Sequence, residues 1–77
     1  MTNDEFRAVE SAVADGHADM ARRLGISEVS VKRYATGTQP VPEHIAKLTV
    51  ALLLVQREGL QKKFESLLDK YHSDTDN

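Results

Sequence analysis

The sequence predicts an all-α domain of four to five short helices. Apolar residues recur at every third or fourth position through most of the chain, which is the helical period. Glycines break this rhythm at short intervals, and no segment combines two-residue alternation with flanking turn residues, as a strand would. The run KLTVALLLVQ has the composition of a buried strand, but it continues the phase of Ile45 and Leu48, so we assign it to a helix.

Length and composition narrow the class of protein. A chain of 77 residues forms one domain, and such a domain buries only about 60 % of its unfolded surface. The chain has no cysteine, which excludes disulfides and thiolate metal sites and suits a reducing compartment. No apolar run approaches the roughly 20 residues that span a bilayer, and the acidic start is unlike a signal peptide. We expect a soluble, cytoplasmic protein with no membrane partner.

The first helix is predicted over residues 3–14. Thr2 and Glu5 have the spacing of a capping box, in which each side chain accepts from a backbone N–H of the other residue. Gly16 can take the positive φ that ends the helix after Asp15. The apolar face consists of Phe6, Val9, Ala12 and Val13.

The second and third helices are predicted over residues 17–24 and 28–36. Gly25 can close the second helix in the left-handed conformation, and Ser27 is a good N-cap for the third. Two short helices joined by three residues cannot pack antiparallel, and the common solution is a near-perpendicular helix-turn-helix. The residues expected to face inward are Met20, Ala21, Leu24, Val31, Tyr34 and Ala35.

The fourth helix is predicted to carry Pro42 in its first turn and to continue through residues 48–57, which are apolar nearly all round and need burial on more than one side. Gly59 costs about 1 kcal/mol inside a helix, so the chain either continues through it or bends into a fifth helix over residues 60–72. Residues 73–77 are expected to form a disordered, solvated tail.

Apolar residues of this C-terminal third follow steps of three and four, the pattern of a coiled-coil seam or a docked helix pair. Such a stripe is too long to leave in water, which favours a homodimer over a helix that folds back on its own domain. The predicted dimerisation residues are Val50, Leu53, Leu60, Phe64, Leu67 and Tyr71, and Arg57 is the one polar residue among them.

The run HADMARRLGISEVSVKRYATGTQPVP resembles the helix-turn-helix of the Cro and phage-repressor (XRE-type) transcription regulators. The resemblance covers about residues 16–58, and it departs from the family at Gly16, where a Thr cap is frequent, and at Ala35, where an acid is frequent. It implies a lambda-repressor-like fold, with residues 1–58 as the DNA-binding domain. Beyond about residue 58 the resemblance implies nothing, and residues 59–72 are predicted to be a dimerisation helix from the apolar stripe alone. The matching positions are Ala21, Leu24, Gly25, Ile26, Ser27, Val31, Tyr34, Gly37 and Pro40.

The resemblance implies that the third helix enters the major groove of DNA. Lys32 and Arg33 can donate to guanine, Glu28 can accept from cytosine, and Val29 can contact a thymine methyl. These four residues share one side of the helix by their spacing. The alternative is that Glu28 only complements the helix dipole and the other three are ordinary surface residues.

Short donors around the third helix suit phosphate oxygens. His17 joins them because it lies where the family commonly has a Gln that contacts phosphate, although it could equally be a solvated surface residue. Arg22 and Arg23 are expected to be solvated rather than in direct contact with DNA. The predicted phosphate contacts are His17, Ser27, Ser30, Thr36, Thr38 and Gln39.

Charge and motif spacing fit a DNA-binding protein better than an enzyme. The net charge is −2, but residues 17–47 carry five Lys/Arg against three acids, and only the local field acts on a polyanion. His17, His44 and His72 have no metal-ligand spacing, so we expect no enzyme, metal, cofactor or small-molecule ligand.

The sequence therefore predicts a dimeric transcription repressor or autoregulator of phage or mobile-element origin, acting on an inverted-repeat operator in double-stranded DNA in a bacterial cytoplasm. Its layout is similar to that of the small anti-CRISPR-associated (Aca) autorepressors. Two alternatives stay open: an antitoxin that binds both DNA and a partner toxin, and a protein-interaction module without DNA binding.

Overall fold

The computed structural model describes residues 1–72, and their side chains as far as Tyr71. This part of the chain contains five α-helices and no strand, which confirms the all-α class. No helix in it is long and apolar enough to cross a membrane. The predicted tail, residues 73–77, lies outside the described residues. The helices are α1 (Asn3–Val13), α2 (His17–Leu24), α3 (Glu28–Thr36), α4 (Glu43–Arg57) and α5 (Gln61–His72).

The predicted capping box at the start of α1 is confirmed. Thr2 Oγ1 accepts from the Glu5 N–H at 3.0 Å, and the Thr2 N–H donates to Glu5 Oε1 at 2.7 Å. The predicted apolar face of α1 was wrong at Ala12, which is exposed. The side of α1 that faces the interior passes instead through Phe6, Glu10 and Val13, at steps of four and three residues, which turns Ala12 outward.

The turn between α2 and α3 forms as its residue types predict. Gly25 is left-handed (φ 71°, ψ 32°), and its N–H donates to the Ala21 carbonyl at 2.8 Å. Ser27 Oγ caps α3 by accepting the Ser30 N–H at 3.1 Å. The prediction that Pro42 lies in the first turn of α4 is off by one residue. Pro42 is the N-cap, and the helix begins at Glu43.

The core lies where α1 packs across α3 and α4 while α2 packs against α3. The Phe6 and Tyr34 rings meet edge to face, with centroids 5.6 Å apart and planes at 77°. Thr49 is fully buried and gives its hydroxyl proton to the Ile45 carbonyl at 2.7 Å. The buried apolar residues are Phe6, Met20, Ala21, Leu24, Val31, Tyr34, Ala35, Ile45 and Leu52.

The chain bends between α4 and α5. Gly59 is left-handed (φ 67°), which ends α4 and makes α5 a separate helix. The described residues of α5 touch the rest of the domain mainly through Phe64, which is half-buried against the core. An ion pair adds to this, with Arg23 Nη1 4.0 Å from Glu65 Oε1.

Candidate nucleic-acid interface

The outer side of α3 carries the four residues predicted to contact bases. Val31, Tyr34 and Ala35 bury the inner side of the helix, so the opposite side faces solvent. None of the four side chains makes a hydrogen bond or ion pair with another described residue. They are therefore free to meet a ligand. The exposed residues are Glu28, Val29, Lys32 and Arg33.

The C-terminal end of α3 is tied to the start of α1 by Asn3. Asn3 Nδ2 donates to the Tyr34 carbonyl and to the Gln39 carbonyl, both at 2.8 Å. The last carbonyls of a helix have no partner inside the helix, and Asn3 satisfies the one at Tyr34. Sequence reasoning missed this contact, because Asn3 is 31 residues from Tyr34 and no local signal marks it.

Three of the predicted phosphate donors use their hydroxyl protons inside the protein. Thr36 Oγ1 donates to the Lys32 carbonyl at 2.8 Å, so Thr38 is the donor in the 3.0 Å bond between the two threonine hydroxyls. Ser27 Oγ donates to Ser30 Oγ at 3.0 Å. Ser30 keeps its own hydroxyl proton, so it is the hydroxyl of this group best placed to donate to a phosphate.

His17, the first residue of α2, is held by a carboxylate of α1. Its Nδ1 lies 2.7 Å from Oε2 of Glu10, which is only 5 % exposed. Because an ionised carboxylate only accepts, Nδ1 carries the proton and Nε2 is left for another partner. Nε2 has no hydrogen-bond partner among residues 1–71. We missed Glu10 in the sequence, although an acid in phase with Phe6 and Val13 is the signal that could have identified it.

Arg22 and Arg23 both form ion pairs with Asp19 on their own helix. Their guanidinium groups lie 3.0 and 2.9 Å from its carboxylate, which is three residues before Arg22 and four residues before Arg23. The hydrogen bond from Arg23, followed by the one from the Asp15 N–H, lowers the pKa of Asp19 from 3.8 to about 2. The two arginines therefore stabilise α2 through their ion pairs with Asp19.

The predicted dimerisation residues do not share one surface. Val50 and Leu53 line a groove between α1 and α4. Phe64 packs against the core and lines a different cavity, together with Leu52 and Val55 on another side of α4. The other three, on or next to α5, are exposed: Leu60, Leu67 and Tyr71. The bend at Gly59 is the reason, because it ends the helical phase that a continuous seam requires.

Gln39, the last of the predicted phosphate contacts, is exposed just beyond α3, and its N–H donates to the Arg33 carbonyl at 3.3 Å. Among the side chains that the structure describes, residues 1–71, no three His, Cys, Asp or Glu come together as ligands for a metal ion. No protein-family model matches the chain, and no curated protein and no solved structure is detectably similar to it.

Proposed function

We propose that this chain is a sequence-specific DNA-binding repressor or autoregulator that reads an operator with the outer side of α3. The observation that carries the proposal concerns the exposed side of α3. Four chemically different side chains lie there with no partner among the described residues, and the other side of the helix is buried. A rigid helix with a free polar face suits the major groove, which admits an α-helix.

The chemistry of the four side chains supports base reading. Arg33 and Lys32 donate to guanine O6 and N7, Glu28 accepts from the cytosine amino group, and Val29 packs on the thymine methyl. At 57 % exposed, Val29 has the accessibility that such a contact needs. Each good bidentate contact contributes about 1–3 kcal/mol of discrimination against the wrong base.

Phosphate contacts would set the orientation of α3 on the duplex. Ser30 and Gln39 are the donors with no competing internal acceptor among the described residues. His17 Nε2 also faces no internal partner there, but it donates only in the imidazolium form, in which both ring nitrogens carry a proton. Thr36 and Thr38 would have to rotate their hydroxyls away from present partners before donating to DNA. Such contacts carry no base preference, so they add affinity rather than specificity.

A homodimer completes the proposal. One recognition helix reads only a few base pairs, whereas two related by a two-fold axis lie one helical turn, roughly 34 Å, apart on an inverted repeat. The exposed apolar residues of α5 support such a pairing. A dimer on an operator would repress by excluding the polymerase, without a cofactor, in the bacterial cytoplasm.

Selection of bound duplexes from a random pool tests this function directly. We expect enrichment of an inverted repeat whose half-site centres are about 10 base pairs, or a multiple, apart. Enrichment of no sequence, with only weak and salt-sensitive binding, would reject a sequence-specific regulator.

Replacing Arg33 tests whether α3 is the reading element. Arg33→Ala should cost about 1–3 kcal/mol at one base pair and relax the preference there. Arg33→Lys keeps the charge but loses the planar fork of donors, so it should retain salt-dependent affinity and lose the preference. Arg7→Ala, which removes an exposed positive charge from α1, is the control. An unchanged preference in both Arg33 variants would show that Arg33 does not read bases.

A further inference from the structure

Two apolar surfaces of this chain have no partner within the described residues. The first, the α1/α4 groove, is a shallow, open depression with a volume of about 730 Å³. The second, the α5 stripe, consists of Leu60, Leu67, Leu68 and Tyr71, all of them exposed. Val50 in the groove is 55 % exposed and Tyr71 in the stripe is 59 % exposed. The apolar lining of the groove is Met1, Ala8, Val9, Ala46, Val50 and Leu53.

Within one chain these surfaces are held apart. Phe64 packs against the core and lines a cavity with Leu52 and Val55, whereas Val50 and Leu53 line the groove on another side of α4. The segment between α4 and α5 spans only residues 58–60. As long as Phe64 stays packed against the core, α5 does not cover the groove of its own chain.

We propose that in the homodimer the α5 stripe of each copy docks in the α1/α4 groove of the other copy. The inference rests on the dimer in the proposed function and says which surfaces form it. In a two-fold pair, if the stripe of one copy contacts the groove of the other, the second stripe contacts the first groove in the same way. This arrangement therefore covers both surfaces on both copies and leaves none of them open to a third copy.

The dimensions of the two surfaces agree. At 1.5 Å per residue, the stripe over residues 60–71 is about 16 Å long, and the α4 wall of the groove over residues 43–53 is about 15 Å long. A helix laid between two others packs its ridge of side chains into the space between them. The stripe offers such a ridge, because Leu60, Leu67 and Tyr71 recur at steps of seven and four residues.

The charges at the edges of the two surfaces are complementary. Glu5 and Glu43 stand at the rim of the groove, with Lys47 3.2 Å from Glu43. Lys62 and Lys63 flank Leu67 on α5. Exposed ion pairs contribute about 0–1 kcal/mol each, so the apolar contact would supply most of the affinity and the charges would favour this occupant.

Cysteine cross-linking tests the arrangement without background, because the chain has no cysteine of its own. We would prepare Val50→Cys and Leu67→Cys separately, mix them, oxidise them and analyse the product by non-reducing electrophoresis and mass spectrometry. The expected product is a disulfide-linked dimer that contains one of each variant. Leu67→Cys linking efficiently to itself would instead show an α5–α5 pair and overturn the proposal.

Ala51→Cys is the matched control. Ala51 is exposed on the same helix, but it lies about 100° around the helix axis from Val50 and does not line the groove, so it should not link to Leu67→Cys. Linking as fast as that of Val50→Cys would overturn the proposal. In sedimentation, Val50→Asp should raise the dimer dissociation constant at least about tenfold and Ala51→Asp should leave it unchanged. Equal effects of these two exposed substitutions would also overturn it.

Failure of this inference can be told apart from failure of the proposed function. A specific Val50–Leu67 cross-link in a protein that selects no DNA sequence supports the dimer and rejects the regulator. Selection of an inverted repeat by a dimer that lacks this cross-link rejects the exchange of α5 and leaves the regulator intact.

Discussion

The attachments of α3 and α5 to the rest of the domain differ sharply. α3 is fixed to α1 by the Phe6–Tyr34 ring contact and by the two hydrogen bonds of Asn3, and its inner side lies in the core. α5 is attached mainly through half-buried Phe64 and one ion pair at 4.0 Å. The comparison teaches that this small chain uses its core to hold the proposed reading helix, while most of the apolar surface of α5 stays exposed.

The largest expected effect is the loss of stability when the aromatic ring that packs against α3 is removed. Phe6→Ala removes a fully buried ring and should lower the free energy of unfolding by about 3–5 kcal/mol. Phe64→Ala, the matched change on α5, should cost less because Phe64 keeps part of its surface exposed. Urea titrations followed by circular dichroism of the monomer would measure both. Equal losses would mean that α5 is as integral to the domain as α3.

The contact between α1 and α2 gives the next prediction. His17→Ala leaves the buried Glu10 carboxylate without its partner and should cost about 1–3 kcal/mol of stability. It should also weaken binding to all DNA sequences alike, because a phosphate contact carries no base preference.

A double variant separates the two effects of His17. In Glu10→Ala/His17→Ala no carboxylate remains to be stranded, so urea titrations should show part of the stability restored, while the loss of DNA affinity should persist. Restored DNA affinity would mean that His17 acts only through the fold, and an altered base preference would mean that it touches a base.

Asn3 sharpens the comparison at the other end of α3. Asn3→Ala removes two hydrogen bonds to backbone carbonyls and should cost about 1–2 kcal/mol in urea titrations. Asn3→Asp keeps the size of the side chain but cannot donate, so it should be no better than Ala. Full stability of the Asp variant would show that a donor at this position is not what holds α3.

The smallest expected effect concerns α2 and acid. The pKa of Asp19 in the folded chain, about 2, lies below the ordinary value of 3.8. Its ionised form therefore stabilises the fold fully above about pH 4, and this contribution is lost as the pH falls through about 2. Thermal melts of Asp19→Asn should show slightly lower stability at neutral pH and a flatter acid dependence below pH 4. An unchanged acid dependence would mean that Asp19 does not contribute.

Local signals explain what the sequence predicted correctly. Thr2 with Glu5, Gly25 and Ser27 each act within a few residues, so the limits of the first three helices and the exposed side of α3 could be predicted. Tertiary partners could not, because nothing near Asn3 or Glu10 in the chain indicates which distant group it meets.

The dimerisation stripe shows the same limit. A repeat of three and four describes a continuous helix, and the left-handed Gly59 divides it between two elements that face different ways. A glycine inside an apolar pattern is compatible with a continuous helix or with a bend. The direction of α5 depends on the tertiary packing of Phe64, which the sequence does not indicate.

Arg23 binds carboxylates on two helices at once, Asp19 on α2 and Glu65 on α5. Added electrolyte screens exposed charge pairs of this kind, and it also weakens contacts with DNA phosphates. A titration with salt would thus weaken the attachment of α5 and, in the proposed complex, the contacts with DNA. Measuring oligomer size and operator occupancy at each ionic strength would show whether the dimer or the DNA complex dissociates first.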